Sequence, residues 1–182
     1  VILYSDGRRM ATFYSEDRIV VPQDEIAPML QAAVIAVEDR RFYQHGAIDP
    51  EGMFRALIQN LFQGGIEQGG STLTQQYVKN VLLEQARTND DAEAIQAATA
   101  QTIGRKLREA KLAIGLEQRY TKDEILTGYL NIAQFGPSQY GVEAAARYFF
   151  SKSAADVGVG EAALLAGITN SPNGFNPVTN PE

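Results

Sequence analysis

The stretch that decides the fold is residues 69–80, which read Gly-Gly-Ser-Thr-Leu-Thr-Gln-Gln-Tyr-Val-Lys-Asn. The two glycines permit backbone conformations that other residues resist. Ser71 or Thr72 can then cap a helix that begins directly after them. The stretch therefore predicts a turn followed by a capped helix.

That helix has two chemically different faces. Leu73, Tyr77 and Val81 recur every four residues, which predicts that they face a core. Another side carries polar side chains: Gln75, Gln76, Lys79 and Asn80. A helix N-terminus with a lysine nearby suits an anion, whereas the plainer interpretation is an amphipathic helix with a solvated face.

Composition limits the classes of protein. The chain has 182 residues, of which 45% are hydrophobic, so we expect one compact domain over residues 1–182. A net charge of -6 argues against a general nucleic-acid binder, because such proteins carry excess Lys and Arg. There is no cysteine, and His45 is the single histidine, so thiolate metal sites are excluded.

Neither a membrane span nor a signal peptide is visible in the sequence. Val1 begins as though in the middle of a strand, and no closing element precedes Glu182. We therefore expect a fragment of a longer chain.

The pattern of apolar residues predicts a mainly α domain with a small β element near the N-terminus. Residues 2–21 carry β-rich pieces around a turn at Ser5-Asp6-Gly7. Thr121 and Glu124 form a capping box, and residues 87–101 resemble an insertion. Helices are predicted at 27–38, 50–63, 71–86, 92–118, 121–131, 141–150 and 154–168.

The helix predicted at 50–63 has a broad apolar stripe. Its members are Met53, Phe54, Leu57, Ile58, Leu61 and Phe62. This stripe is interpreted as a core helix, with a helix that dips into a bilayer surface as the alternative.

A run of polar residues follows the apolar helix that ends near Val37. Glu38 is placed at the end of this helix, where partial burial can raise the pKa of a carboxyl and suit it to general base catalysis. The alternative is a solvated charge run at a helix end. His45 by itself is interpreted as a packing or hydrogen-bonding histidine rather than a ligand or a catalyst.

A second charged cluster covers residues 105–111. Arg105 and Glu109 are one helical turn apart, which predicts an ion pair on the helix surface. The functional alternative is that Arg105 and Lys79 neutralise a diphosphate while Glu109 positions a cation or a sugar hydroxyl. The core face of this helix is predicted to consist of Ile103, Leu107, Ala110 and Ile114.

Taken together, five motifs resemble the peptidoglycan glycosyltransferase domain of class A penicillin-binding proteins and monofunctional glycosyltransferases. They are Glu38-Asp39-x-x-Phe42-x-x-His45-Gly46-x-Ile48; the stretch at 69–80; Arg105-Lys106-x-x-Glu109 through Tyr129-Leu130-Asn131; Tyr140-Gly141 through Tyr148-Phe149; and Glu161 to Ala166.

The resemblance implies a lysozyme-like helical fold and polymerisation of lipid II, with the growing lipid-linked glycan chain as donor. It implies that Glu38 is the catalytic base and that Glu109 is a second essential glutamate near the donor diphosphate. Lys79 and Arg105 match cations that hold the pyrophosphate, and Arg87 matches a further phosphate-binding arginine. Residues that match the lining of the cleft or the substrate-binding motifs are Lys106, Gln75, Gln76, Ser71, Thr72, Asn80, Asp39, Phe42 and His45.

The resemblance also implies a place and partners for the domain. It predicts the extracytoplasmic face of the bacterial cytoplasmic membrane, contact with the membrane surface and with other cell-wall synthesis proteins, and no nucleic acid. The anchor, a C-terminal helix and any transpeptidase domain would lie outside residues 1–182. No tightly bound cofactor is expected; Mg²⁺ or Mn²⁺ is the candidate metal, held by Glu109 and the substrate diphosphate.

Two other functions remain open at this point. A lysozyme-like hydrolase or lytic enzyme would use the same fold on finished cell wall. A non-catalytic domain would bind the lipid-linked precursor. The clustered cations favour transfer from a diphosphate, because a glycosidase needs an acid to protonate its leaving group.

Overall fold

A computed structural model of the chain describes residues 2–3, 9–11, 17–55, 70–172, 174–175 and 177. Within these ranges the α-helices are α1 (Pro28–Glu38), α2 (Leu73–Thr88), α3 (Ala92–Thr99), α4 (Ile103–Glu117), α5 (Lys122–Ile132), α6 (Val142–Phe150) and α7 (Val159–Asn170). Residues 50–55 are also helical. Short 3₁₀ helices occur at Gln23–Glu25 and Ala154–Asp156.

The strands are short. β1 (Ile2–Leu3) pairs antiparallel with β2 (Arg9–Ala11), and β3 (Asp17–Arg18) pairs parallel with β4 (Gln139–Tyr140). The prediction of a mainly α domain with a small β element near the N-terminus is therefore confirmed. The turn predicted at residues 5–7 lies outside the described residues.

The main core lies between α1, α5, α6 and α7. α1 packs against α7, while α2 packs against α3, α4 and α5. The largest fully buried apolar side chains of the main core are Ile26, Leu30, Phe42, Leu73, Ile125, Leu126, Leu130, Phe135, Leu165 and Ile168. This packing holds the C-terminal ends of α1 and α7 beside each other, and the candidate site is built there.

The helix predicted over 92–118 is wrong as a single element. It is divided into α3 and α4, because Ala100 has extended backbone and the Thr102 side chain caps a new helix by accepting the Arg105 N–H. The predicted capping box at Thr121 is confirmed and begins α5.

The predicted core face of α4 is also wrong. Ile103 and Leu107 are 81% and 66% exposed, and Ile114 is exposed as well. The buried side of α4 carries Glu109 and Ala113 instead. The reason is that α4 turns Arg105 and Glu109 toward α2, which leaves its apolar stripe on the surface.

The helix predicted at 50–63, which carries the apolar stripe, is described only as far as residue 55. Met53 and Phe54 are exposed there rather than packed in the core. Leu57, Ile58, Leu61 and Phe62 lie outside the described residues. Among the helices that the structure describes, none is both long and apolar enough to cross a membrane.

One glycine is required by a close backbone approach. Gly141 has a φ of +83°, and a Cβ added there would lie 2.7 Å from the carbonyl oxygen of Asn131. The Asn131 side chain in turn accepts the Val21 N–H and donates to the Val21 carbonyl, both at 2.9 Å. Asn131 and Gly141 therefore tie α5 to the N-terminal segment and to α6.

Candidate active site

Glu38 occupies the position that the sequence predicts, as the last residue of α1. Its Oε2 accepts a hydrogen bond from Gln76 Nε2 of α2 at 2.6 Å. Its Oε1 accepts a hydrogen bond from the Thr169 hydroxyl of α7. The carboxylate is thus oriented by side chains from two other helices.

A cluster of charges surrounds Glu109 on α4. The Glu109 side chain is 2% exposed, pairs with Arg105, and lies 3.4 Å from Lys106 Nζ. Lys79 of α2 has a lowered pKa because burial disfavours its ammonium form and Arg105 and Lys106 repel it, with Glu109 acting in the opposite direction. Three cations therefore share one buried carboxylate.

Helix α2 brings the base and the cation cluster together. Gln76, which bonds Glu38, and Lys79, which faces the cluster, are three residues apart on this helix. Side chains at this spacing are neighbours, with about 5–6 Å between their Cβ atoms. One turn of α2 thus carries both a side chain that contacts Glu38 and a cation that is affected by the charges around Glu109.

The N-terminus of α2 is already occupied by an anion of the protein itself. Asp39 Oδ2 accepts the Leu73 N–H at 3.0 Å, and Thr72 Oγ1 accepts the Gln75 N–H at 3.3 Å. The expectation of an external anion at this helix end therefore needs correction, because these donors are satisfied within the chain. The positive end of the helix is neutralised by Asp39.

His45 supports this arrangement from the loop that follows α1. Its Nε2 lies 2.7 Å from Asp39 Oδ1, and both side chains are buried. Thr72 is buried too, and its hydroxyl donates to the Ala47 carbonyl at 2.8 Å. In this structure these three side chains hold the loop against α2.

The remaining residues of the predicted site are more dispersed. Lys106 Nζ donates to Ser71 Oγ at 2.5 Å, which joins α4 to the start of α2. Arg87 donates to the Tyr140 hydroxyl at 2.8 Å and lies about 12 Å along α2 from Lys79. Of the others, Phe42 and Gln75 are buried and Asn80 is half-buried.

Two residues near Glu38 were given no role from the sequence: Thr169, and Tyr129, which the third motif contains. Thr169 bonds the carboxylate of Glu38, and the charge of Glu38 acts on the buried hydroxyl of Tyr129. Burial first, and then Glu38, raise the pKa of Tyr129 well above its ordinary value. Thr169 follows the motif at 161–166 by one turn, which is the only signal that the sequence offers.

The described residues contain one group of side chains that could bind a metal ion: Asp39, His45 and Asp49, whose ligand atoms lie within 4.8 Å of one another. Asp49 is paired with Arg41 and Asp39 with the α2 N-terminus. Glu109, the residue proposed from sequence to meet a metal, is buried between cations. These partners do not fit a resident divalent ion at Glu109.

The fold and this site define a class of protein that the comparisons identify. The family model described as Transglycosylase matches residues 6–182, and the chain belongs to this family. The resemblance to the transglycosylase domain of penicillin-binding proteins, and the expected class of enzyme, are thereby confirmed.

Several curated relatives are similar over almost the whole chain. Penicillin-binding protein 1F of Bacillus subtilis is 39% identical over 181 residues, which cover 100% of this chain and 23% of that protein. Penicillin-binding protein 1A of Escherichia coli is 41% identical over 97% of this chain and 19% of its own length. Penicillin-binding protein 2D of Bacillus subtilis is 42% identical over 98% and 24%, respectively. The chain therefore spans about a fifth to a quarter of the length of these relatives.

Proposed function

We propose that this domain polymerises lipid II into β-1,4-linked glycan strands of peptidoglycan, with inversion at the donor sugar and release of undecaprenyl diphosphate. Membership of the transglycosylase family supports the reaction class. The observation that carries the proposal is the spacing on α2, where Gln76 bonds Glu38 and Lys79 faces the Arg105–Glu109 cluster. In the proposed reaction Glu38 serves the acceptor hydroxyl and the cation cluster serves the leaving diphosphate, which are the two ends of one sugar transfer.

In this proposal Glu38 is the general base. It takes the proton from the 4-hydroxyl of the acceptor sugar as that oxygen forms a bond to the anomeric carbon of the donor. Gln76 holds one oxygen of the carboxylate, which fixes the direction of the other. Because the bond to the diphosphate breaks on the opposite face, the configuration inverts.

The cations act on the leaving group. Lys79, Arg105 and Lys106 exceed the single charge of Glu109 by two, so the cluster has a positive surplus for a diphosphate. A diphosphate leaves as a stable anion, and charge neutralisation lowers the barrier without an acid. Glu109 holds Arg105 and Lys106 in place until the substrate arrives.

The proposal includes no tightly bound cofactor. Mg²⁺ or Mn²⁺ would come with the substrate diphosphate, and Glu109 would reach it only by giving up its ion pairs with Arg105 and Lys106. We therefore assign no step of the reaction to a metal.

Replacement of Glu38 by Gln tests the reaction and its base together. Labelled lipid II in detergent, incubated with the full-length protein, is expected to give long glycan products with the wild type and none with Glu38→Gln. Glu93→Gln, at an exposed position of α3, is the matched control and should behave as wild type.

Each other outcome has a clear meaning. Polymer made by Glu38→Gln would contradict the base assignment. Release of soluble fragments from purified peptidoglycan without any lipid-linked substrate would favour the hydrolase. Precursor binding that survives loss of both glutamates, without turnover in the wild type, would favour the non-catalytic domain.

We also propose that the domain works against the outer face of the bacterial cytoplasmic membrane, where its lipid-linked substrates reside. The support is the exposed stripe of α4, formed by Ile103, Leu107 and Ile114, with the exposed cations Arg108 and Lys111 on the same helix. Apolar side chains flanked by cations suit an anionic lipid surface.

A polar replacement on this stripe should weaken membrane binding. Leu107→Gln is expected to reduce co-sedimentation with anionic vesicles several-fold and leave thermal unfolding unchanged, because the side chain is exposed. Leu112→Gln is the control, since Leu112 lies on another side of the same helix and is 43% exposed. Equal binding by both variants would contradict the proposed membrane face.

A further inference from the structure

The Thr169 hydroxyl lies between two acceptors near the end of α7. It is within hydrogen-bonding distance of Glu38 Oε1 and lies 2.7 Å from the carbonyl oxygen of Ala166. A hydroxyl has one hydrogen and two lone pairs, so it can donate to only one of these acceptors at a time. The Glu38 carboxylate and the Ala166 carbonyl therefore compete for one hydrogen.

The two protonation states of Glu38 select opposite orientations. While Glu38 is a carboxylate, it accepts the Thr169 hydrogen. Once Glu38 carries a proton on Oε1 and the new O–H has rotated away from the sugar, this O–H can donate to Thr169 Oγ1, provided that the Thr169 hydrogen points to the Ala166 carbonyl. The same side chain can satisfy Glu38 before and after proton transfer.

We propose that Thr169 is a positioning residue for Glu38, whose hydroxyl hydrogen turns from Glu38 to the Ala166 carbonyl as Glu38 takes the proton from the acceptor sugar. This inference rests on the proposed function, in which Glu38 is the base. In the step, the O–H bond of the sugar breaks and an O–H bond forms on Glu38. The Thr169 O–H bond rotates and does not break.

Two side chains next to Glu38 and Thr169 favour this role for the Thr169 hydroxyl. Gln76 from α2 donates to the other oxygen of Glu38, which leaves Oε1 as the oxygen that Thr169 controls. Tyr129 from α5 lies within hydrogen-bonding reach of Thr169, and its raised pKa keeps it a neutral phenol in the range where a carboxyl titrates. Of the three side chains described above as neighbours of Glu38, which are Gln76, Thr169 and Tyr129, Tyr129 is the one that can titrate.

The pH profile of turnover in the full-length protein tests the proposal. Thr169→Val removes the hydroxyl at nearly constant volume and is expected to lower kcat about tenfold. The loss of kcat should be present at every pH at which the wild type is active, because the carboxylate loses the donor that orients it. KM should stay unchanged, and Thr169→Ser should restore kcat.

Two further variants serve as controls. Thr99→Val removes a hydroxyl that bonds only carbonyls of its own helix, α3, and should leave the profile unchanged. Thr169→Ala provides a second variant without the hydroxyl if valine disturbs α7. A profile of either folded variant that superimposes on that of the wild type would overturn the proposal.

A measurement without substrate separates this inference from the proposed function. In protein labelled with ¹³C at glutamate side chains, the Glu38 carboxyl signal is assigned by its absence from Glu38→Gln. At neutral pH this signal should be displaced in Thr169→Val and restored in Thr169→Ser, and an unchanged signal would overturn the hydrogen bond. If the wild type makes no polymer while this displacement is observed, the proposed function fails and the pairing of Thr169 with Glu38 stands.

Discussion

Two buried glutamates, Glu109 in α4 and Glu143 in α6, each pair with an arginine of their own helix, but their other neighbours differ. Each side chain is 2% exposed and pairs with an arginine one helical turn away. Glu143 also accepts the Ala154 N–H at 2.6 Å and the Ser153 hydroxyl at 3.2 Å. The fold itself completes the hydrogen bonding of Glu143.

Glu109 is surrounded by cations rather than by neutral donors. Arg105 and Lys106 pair with it, and Lys79 is near enough for its pKa to be affected. One carboxylate therefore lies near three positive charges, whereas Arg147 is the one cation paired with Glu143 in the part of the chain that the structure describes. In the proposed function, a surplus of positive charge, more than burial or an ion pair, distinguishes the diphosphate site around Glu109 from the structural contact of Glu143.

The largest expected difference between the two glutamates is in turnover. Glu109→Gln should lower kcat by roughly 10²–10³-fold, because Arg105 and Lys106 lose the carboxylate that aims them at the departing charge. Glu143→Gln should change kcat only a few-fold, since Glu143 lies on α6 and contacts none of the cations around Glu109. Polymerisation of lipid II by both variants, at a temperature where both are folded, measures the difference. Similar losses in the two variants would show that the comparison has no functional meaning.

The parts of this site that are local in sequence could be predicted. Glu38 at the end of α1 follows from the apolar pattern before it, and the Arg105–Glu109 pair follows from the four-residue spacing in a helix. The capping box at Thr121 was equally accessible. In each case the interaction depends on residues within one turn or at one helix end.

The parts that join distant segments could not be predicted. Thr169 and Glu38 are 131 positions apart, and the parallel pairing of β3 with β4 joins residues more than 120 positions apart. The exposed face of α4 was assigned to the core because periodicity identifies an apolar side without showing what covers it. In α4 the need to turn Arg105 and Glu109 toward α2 outweighs the burial of Ile103 and Leu107.

The second difference concerns stability. Glu143→Gln should lower the free energy of unfolding by about 2–3 kcal/mol at neutral pH, because the buried Ala154 N–H and Arg147 lose a charged acceptor. Urea denaturation measures this loss. Inorganic pyrophosphate should restore stability to Glu109→Gln by binding its unpaired cations, and should not restore it to Glu143→Gln.

The pH dependence of the free energy of unfolding tests whether the charge of Glu143 causes this loss. Burial alone would raise the pKa of Glu143, but hydrogen bonds from Ala154 and Arg147 outweigh it and the pKa is lowered. A carboxyl with a lowered pKa in the folded state stabilises the fold above its ordinary pKa, and this contribution is lost as the pH falls through the folded value. Wild type and Glu143→Gln should therefore converge in stability in acid. A constant difference at all pH values would contradict the role assigned to the charge of Glu143.

The smallest effect concerns the size of the charge surplus around Glu109. Burial, and then repulsion by Arg105 and Lys106, lower the pKa of Lys79, so Lys79 loses its proton at a lower pH than an exposed lysine does. Affinity for inorganic pyrophosphate, measured by titration calorimetry at constant ionic strength, should accordingly fall a few-fold as the pH is raised into the alkaline range. Lys79→Arg should remove this decline, because an arginine stays charged throughout.

Lys111→Arg is the matched control for this measurement, since Lys111 is exposed on α4. Its pyrophosphate affinity should fall with pH as that of the wild type does. An equal decline in Lys79→Arg would mean that Lys79 does not contribute its charge to the anion. The surplus would then consist of Arg105 and Lys106 against Glu109, a net charge of one, and the contrast with the balanced Glu143–Arg147 pair would narrow accordingly.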